Sequence, residues 1–298
     1  VSGDYYGQPT GALENRHLRL EYLTEVGPRL VRLKLAGSSQ NVLAELPDIK
    51  LPTPIGDFSL RGGHRLWHSP EDNPRTYVPD DGPIEVETSA DGVRLVQPAD
   101  KLTGIAKSVE VRLHSDRPAL TVRHQLRNDG VWPVEFAPWG ITMLPLGGLA
   151  ILPQQTKPLD VPALRPNRNL VLWPYTSWSD PRLALADDYI LIHANPRQPP
   201  CKVGYLNRHG WVAYLRQDVL FVKRFVPRPA EPHPDFGCNA EFYCDDRFIE
   251  MESLGPLVQV GIGESVEHVE TWELHAGVDA PQSIAGVRDV VRQFGLAQ

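Results

Sequence analysis

The sequence predicts an all-β architecture, a large antiparallel sandwich or barrel followed by one short C-terminal helix. Three observations predict it. Apolar and polar residues alternate along most of the 298-residue chain, the period of a half-buried strand. Turn signals interrupt that alternation roughly every 8–15 residues, as in an all-β domain. Proline is abundant, with 29 residues. That is about twice the usual share, and proline disrupts helix interiors and central strands, so short strands and stiff loops are expected.

The elements follow in order. Leu18, Leu20 and Tyr22 alternate with Arg19 and Glu21, and Leu30, Leu33 and Leu35 come after a Gly-Pro turn. Val86 and residues 93–96 flank Ala90-Asp91-Gly92, whose Asp-Gly pair is a hairpin signal. Val109, Val111 and Leu113 alternate with Glu110 and Arg112, and Leu120, Val122 and Leu126 follow the turn at Asp116-Arg117-Pro118. Asn128-Asp129-Gly130 turns the chain into an apolar stretch at 131–146. Further strands are expected at 189–193, 202–206, 210–216, 219–226, 240–244, 247–252, 257–261 and 267–275. The helix is expected at 283–294, where Val287, Val290, Val291 and Phe294 form one stripe. Between them, 153–185 is proline-rich with Trp173, Tyr175 and Trp178, and reads as a long ordered loop of the kind that carries function. No linker composition separates two halves, so a single domain over 1–298 is expected.

Charge narrows the function classes. The net charge is −7 and no basic run forms an electrostatic footprint for nucleic acid. No apolar stretch reaches the roughly 18–20 residues of a membrane span. Cys201, Cys238 and Cys244 are odd in number and contain no Cys-x-x-Cys pair, which points to reduced thiols in a cytoplasmic protein. The chain begins Val1-Ser2-Gly3-Asp4 without an initiator Met, so a removed leader stays open. No cofactor or metal site is expected.

Two clusters could carry chemistry. The first runs Arg61-Gly62-Gly63-His64-Arg65-Leu66-Trp67-His68-Ser69-Pro70-Glu71. Paired glycines permit a sharp turn or close approach to a ligand. The tryptophan, arginines, histidines and glutamate suit a sugar, with an aromatic face for ring C–H groups and polar groups for hydroxyls. A polar loop around a core tryptophan is the structural alternative. A His64–His68 metal pair is disfavoured because the Gly-Gly and Pro70 argue against a helix. The second cluster spans Asn239, Glu241 and the strand carrying Glu250 and Glu252. Strand parity puts both strand glutamates on one face, where like charge raises a carboxyl pKa. Glu250 reads as solvated; for Glu252, acid–base work and a solvated face both stay open on the residues alone.

The Glu252-Ser253 strand, its Gly-Pro turn, Gly263-Glu264-Ser265 and the closing segment His268 to Leu274 resemble the C-terminal part of galactose mutarotase-like proteins. Gly62-Gly63-His64-Arg65-Leu66-Trp67 resembles that superfamily's first-half ligand segment, and Asn128 through Gly140 its second sugar-contacting region. The likeness is to an outlying branch. It implies a β-supersandwich with a concave face holding a mono- or oligosaccharide, and aldose 1-epimerase chemistry with Glu252 as the base. The resemblance places the acid, a histidine, within Ala137-Pro138-Trp139-Gly140-Ile141-Thr142, where none stands, so His64, His68 or a lysine would substitute. Arg61, Arg65, Trp67, Glu71, Tyr77, Trp139, Lys202, Lys223, Asn239 and Glu241 are the expected substrate contacts, with Trp173 and Trp211 as further stacking candidates. Lys223 is expected in the cleft and Lys202 equally well on a wet strand face. Together with Arg61 and Arg65, a lysine would favour an anionic sugar. A binding-only protein, or a lyase or hydrolase acting on oligosaccharides, is the alternative on the same fold.

Overall fold

The computed structural model describes residues 3–73 and 75–296. Two large antiparallel sheets face each other. Sheet one has eleven strands, ordered Gly3–Tyr5, Gln8–Glu14, Leu18–Leu23, Leu30–Leu35, His64–Ser69, Val134–Pro145, Phe248–Leu254, Ala240–Cys244, Cys201–Tyr205 and Val171–Leu172, with Val258–Val260 paired to the start of Val134–Pro145. Sheet two has ten, ordered Leu183–Leu185, Tyr189–His193, Gly148–Pro153, Trp211–Arg216, Val219–Phe225, Ser265–Ala276, Ala119–Asn128, Ile105–Leu113, Gly92–Gln97 and Glu85–Thr88.

Strand parity decides what each face buries. Ile249 and Met251 of sheet one meet Phe221, Trp272 and Leu274 of sheet two in the main core. On the far side of sheet two, the helix Ile284–Gln293 lays Val287, Val290 and Val291 over Trp211, Leu220 and Val222. Ser283 caps it, accepting from the Gly286 amide at 3.2 Å. Trp211 is therefore core, away from any cleft. On the far side of sheet one, the hairpin Glu45–Thr53 and Gly56–Gly62 covers Trp67, Trp139, Ile141 and Met143 with Phe58 and Leu60. Helix, sheet two, sheet one and hairpin thus form four layers.

The main expected strands are present. The difference lies in the first half. The Gly-Gly cluster opens a strand, His64–Ser69, rather than a polar loop. Arg61, Gly62 and Gly63 all have positive φ, and a Cβ at Gly62 or Gly63 would lie 2.2 Å from Ala44 O or 2.0 Å from Leu30 O. These glycines let the chain pass from hairpin to sheet, so backbone rather than ligand approaches them. The three cysteines are buried and unpaired. Among the described residues, no helix is long and apolar enough to cross a membrane.

Candidate functional site

Beside the covering hairpin, the outer face of sheet one forms an open cleft of about 370 Å³. Five adjacent strands build it by alternation. His64–Ser69 presents Arg65 and Trp67, Val134–Pro145 presents Trp139, Phe248–Leu254 presents Glu250, Ala240–Cys244 presents Tyr243, and Cys201–Tyr205 presents Lys202. Trp67 opposes Trp139 across one pair, and their rings stand edge to face at 5.5 Å. Tyr77 adds an edge contact to Trp67 at 4.9 Å, and its hydroxyl donates to Glu71 at the rim. The long loop supplies Trp173 and Tyr175. Gly204 makes room for that loop, since a Cβ there would lie 3.2 Å from Trp173 Cζ3.

Beneath the floor lie two carboxyl groups and one ammonium. Glu241 and Glu252 face each other across adjacent strands, and both are fully buried. Lys202 Nζ stands 2.8 Å from Glu241 Oε2 and 3.2 Å from Glu252 Oε2. The same ammonium lies 4.8 Å from the Trp139 ring centroid and 4.5 Å from that of Trp173. Trp139 Nε1 donates to Glu252 Oε2 at 2.7 Å. Glu252 Oε1 and Glu241 Oε1 are buried without a hydrogen-bond partner. Burial pushes the Glu252 carboxyl up to about 7, and the Lys202 charge offsets only part of that rise. Burial likewise raises Glu241 well above its ordinary range. Burial works against the Lys202 charge, but Glu252 and Glu241 together hold it well above the ordinary lysine value. Two carboxyl groups sharing one ammonium retain a proton near neutrality.

The structure sorts the expected site residues. Arg65, Trp67, Glu71, Tyr77, Trp139 and Lys202 line one cleft, with Glu241 and Glu252 directly under it. Glu250, expected to be solvated, is 9% exposed and lines the cleft, its Oε1 accepting from Arg65 Nη2 at 2.8 Å. Of the two lysines expected at the cleft, only one reaches it. Lys202 is at the cleft, whereas Lys223, on a strand of sheet two, points between the sheets and pairs with Glu270 at 3.0 Å. Arg61 is held in a buried ion pair with Asp80 at 2.8 Å, and Asn239 ties down the loop at Asn207, accepting from its amide at 2.6 Å. His64 and His68 sit on the opposite strand face from Arg65 and Trp67, so neither reaches the cleft. Tyr175, Tyr243 and Arg247 also line the cleft. Tyr243 lies within the second sequence cluster, two residues after Glu241, and the aromatic character of the long loop signalled Tyr175; no motif marked Arg247.

His64 belongs to a second polar cluster, sealed between the sheets. His124 Nδ1 faces the His268 carbonyl at 3.0 Å and so must carry the hydrogen. His124 Nε2 then accepts from His64 Nε2–H at 2.7 Å, and His64 Nδ1 accepts from the Thr142 hydroxyl at 2.9 Å. Ser253 donates to Glu270 and accepts from His268 Nε2–H at 2.7 Å. Lys223 Nζ spends its remaining hydrogens on Gly140 O at 3.2 Å and Met251 O at 3.1 Å. Ligand-type atoms of His64, His124 and Glu270 lie within 4.8 Å of one another. Their hydrogen bonds are nonetheless mutually satisfied, and the Lys223 ammonium already supplies the positive charge.

Several solved structures superpose on this fold. A galactose mutarotase-like protein from Lactobacillus casei superposes with a TM-score of 0.58 at 13% identity, over 89% of this chain and 100% of that one. The chain has the galactose mutarotase-like fold. A galactose mutarotase related enzyme from Lactobacillus acidophilus gives 0.52 at 10% identity, over 92% and 100%. A TPR-domain containing protein from Parabacteroides distasonis gives 0.61 at 16% identity, over 93% of this chain and 48% of that one. No family model and no curated protein matches the chain. Identities this low carry the mutarotase-like architecture, and the chemistry must be argued from the cleft itself.

Proposed function

We propose that the aromatic cleft binds a pyranose and interconverts its anomers by acid–base chemistry of the aldose 1-epimerase type. The observation that carries this reading is the Glu252–Lys202 pair, a buried carboxyl raised to about 7 in contact with an ammonium that lines the cleft. A group with that pKa is suited to exchange protons near neutral pH. The anomeric hydroxyl gives its proton to Glu252 through Lys202, which passes one hydrogen on as it accepts another. The bond from C1 to the ring oxygen breaks, and the ring oxygen takes a proton as the aldehyde forms. Rotation about the C1–C2 bond and the reverse steps close the other anomer. Tyr175 and Tyr243 line the cleft with hydroxyls that burial keeps protonated, and they are the donors available where the expected histidine is missing.

A neutral sugar suits the cleft better than an anionic one. Arg65 is matched by Glu250, Lys202 by Glu241 and Glu252, and Arg247 by Asp245 at 3.1 Å. Trp67, Trp139 and Trp173 offer the ring faces and edges that sugar C–H groups pack on. Binding without turnover is the second reading, and it is favoured by the complete burial of Glu252 under Lys202 and Trp139.

Proton NMR of a freshly dissolved α-aldopyranose such as glucose separates the two. Faster anomer exchange with the protein, lost in Glu252→Gln and in Lys202→Met while titration calorimetry still detects binding, supports turnover. Binding with no acceleration supports recognition alone. No binding of any aldose tested sinks both readings.

A further inference from the structure

A second cavity, independent of the sugar cleft, opens on the other face of the strand His64–Ser69 at the mouth between the sheets. It holds about 320 Å³, within the range of small-molecule sites. Its walls are Ile55, Val78, Leu102, Ile105, Val134 and Phe136, so they are mainly aliphatic where the sugar cleft is aromatic. The polar lining comes from His68, Arg75, Thr103 and Glu135.

His68 is the informative residue. It is 2% exposed, and neither Nδ1 nor Nε2 has a hydrogen-bond partner. Leaving such a group buried and unmatched costs about 1–3 kcal/mol. Arg75 faces the same cavity; its Nη2 donates to Pro70 O at 2.6 Å, while its Nε is buried and unpartnered. The unmatched donors and the arginine charge call for an acceptor carrying negative charge, and the rest of the cavity calls for hydrocarbon. Burial first, and then the fields of Lys107 and Arg75, press the His68 imidazole down to about 3. Glu135 does not fill the acceptor's role, being an exposed residue near the start of its strand that accepts from Gln259 Nε2 at 3.1 Å.

We propose that this cavity binds a small carboxylic acid with an apolar body, its carboxylate accepting from the His68 ring N–H and Arg75 Nε–H while its hydrocarbon packs on Val78, Ile105, Val134 and Phe136. The contrast with the sugar cleft supports the assignment. There each cation already has a carboxylate; here, among the described residues, the arginine and histidine have none within hydrogen-bond reach.

Titration calorimetry with octanoate tests it, using octylamine as the charge-reversed control. Octanoate should bind saturably and octylamine should not. His68→Leu and Arg75→Gln should each weaken octanoate at least tenfold, while binding of an aldose in the other cleft is unchanged. His68→Leu removes two unpartnered nitrogens, so the variant should fold at least as stably as the parent. NMR of the His68 imidazole gives a second readout, with its pKa rising on octanoate binding. Non-saturable octanoate uptake, equal affinity for octylamine, or full affinity in His68→Leu would each overturn the proposal.

Discussion

The molecule buries two lysine–glutamate clusters, and they behave in opposite ways. Between the sheets, one ammonium meets one carboxylate: Lys223 reaches Glu270 at 3.0 Å. Ser253 shares Oε1 with Lys223, and Trp272 satisfies Oε2; although burial opposes the charge, Lys223 and the histidines around Glu270 hold its carboxyl far below its ordinary range. Under the cleft, one ammonium serves two carboxyl groups, and two oxygens have no partner. There Glu252 is raised to about 7. Both are fully buried lysine–glutamate contacts, so the balance of charge and donors, with the histidines beside Glu270, sets the direction. A balanced cluster locks two sheets together, whereas an unbalanced one keeps a proton ready to move.

Removing each ammonium should break the symmetry most visibly. Lys223→Met leaves Glu270 buried without its counter-charge and should cost about 3–5 kcal/mol in urea denaturation. Adding Glu270→Gln should recover much of it. Lys202→Met should cost far less at slightly acidic pH, because its carboxyl partners already hold protons readily; equal losses would break the comparison.

Acid tests the interior next. Burial, with further contributions from neighbouring charges, holds His268 at about 3 against an ordinary 6.5, and His64 and His124 are also lowered. The unfolded chain therefore binds more protons below 6.5. Stability is fully present above that value and should fall as pH drops toward 3, by of order 1 kcal/mol per unit per histidine. A pH series of thermal melts measures this slope.

Smaller effects sharpen the geometry. A Cβ at Gly140 would lie 2.7 Å from Glu270 Oε1, so Gly140→Ala should lose about 2 kcal/mol from overpacking. The Glu252 proton has the reverse linkage to the histidines. Its folded pKa of about 7 lies above the ordinary 4.5, so its contribution is complete below 4.5 and is lost as pH rises through 7. Glu252→Gln should consequently gain about 2–3 kcal/mol relative to the parent on going from pH ~5 to ~8.5. A pH-independent difference would show that Glu252 is ionised throughout.

Much of this was legible in the chain. Alternation located most of the strands, from Leu18–Leu23 to Ser265–Ala276, because a period of two survives wherever one face is buried and the other is wet. The helix at Ile284–Gln293 was equally clear from its apolar stripe. His64–Ser69 escaped because all its residues are buried, Arg65 and His68 included, and a strand covered on both faces shows no polar alternation. Glu250 was misread for a related reason: a Glu-x-Glu pattern looks solvated until a hairpin and a long loop roof the face it occupies.

The sequence by itself determined the fold class, the placing of Glu250 with Glu252 on one strand face, and the presence of Arg65 and Trp67 together in one short segment. Those follow from local rules, in which side chains alternate and turns demand particular residues. Only the tertiary structure decided which lysine meets which glutamate, that His64 and His68 turn inward, and that Glu252 lacks the balancing donors Glu270 has. A residue's face is set by local parity. What it meets there depends on which distant strand is its neighbour, and on how many charges that neighbour brings into a place water cannot reach.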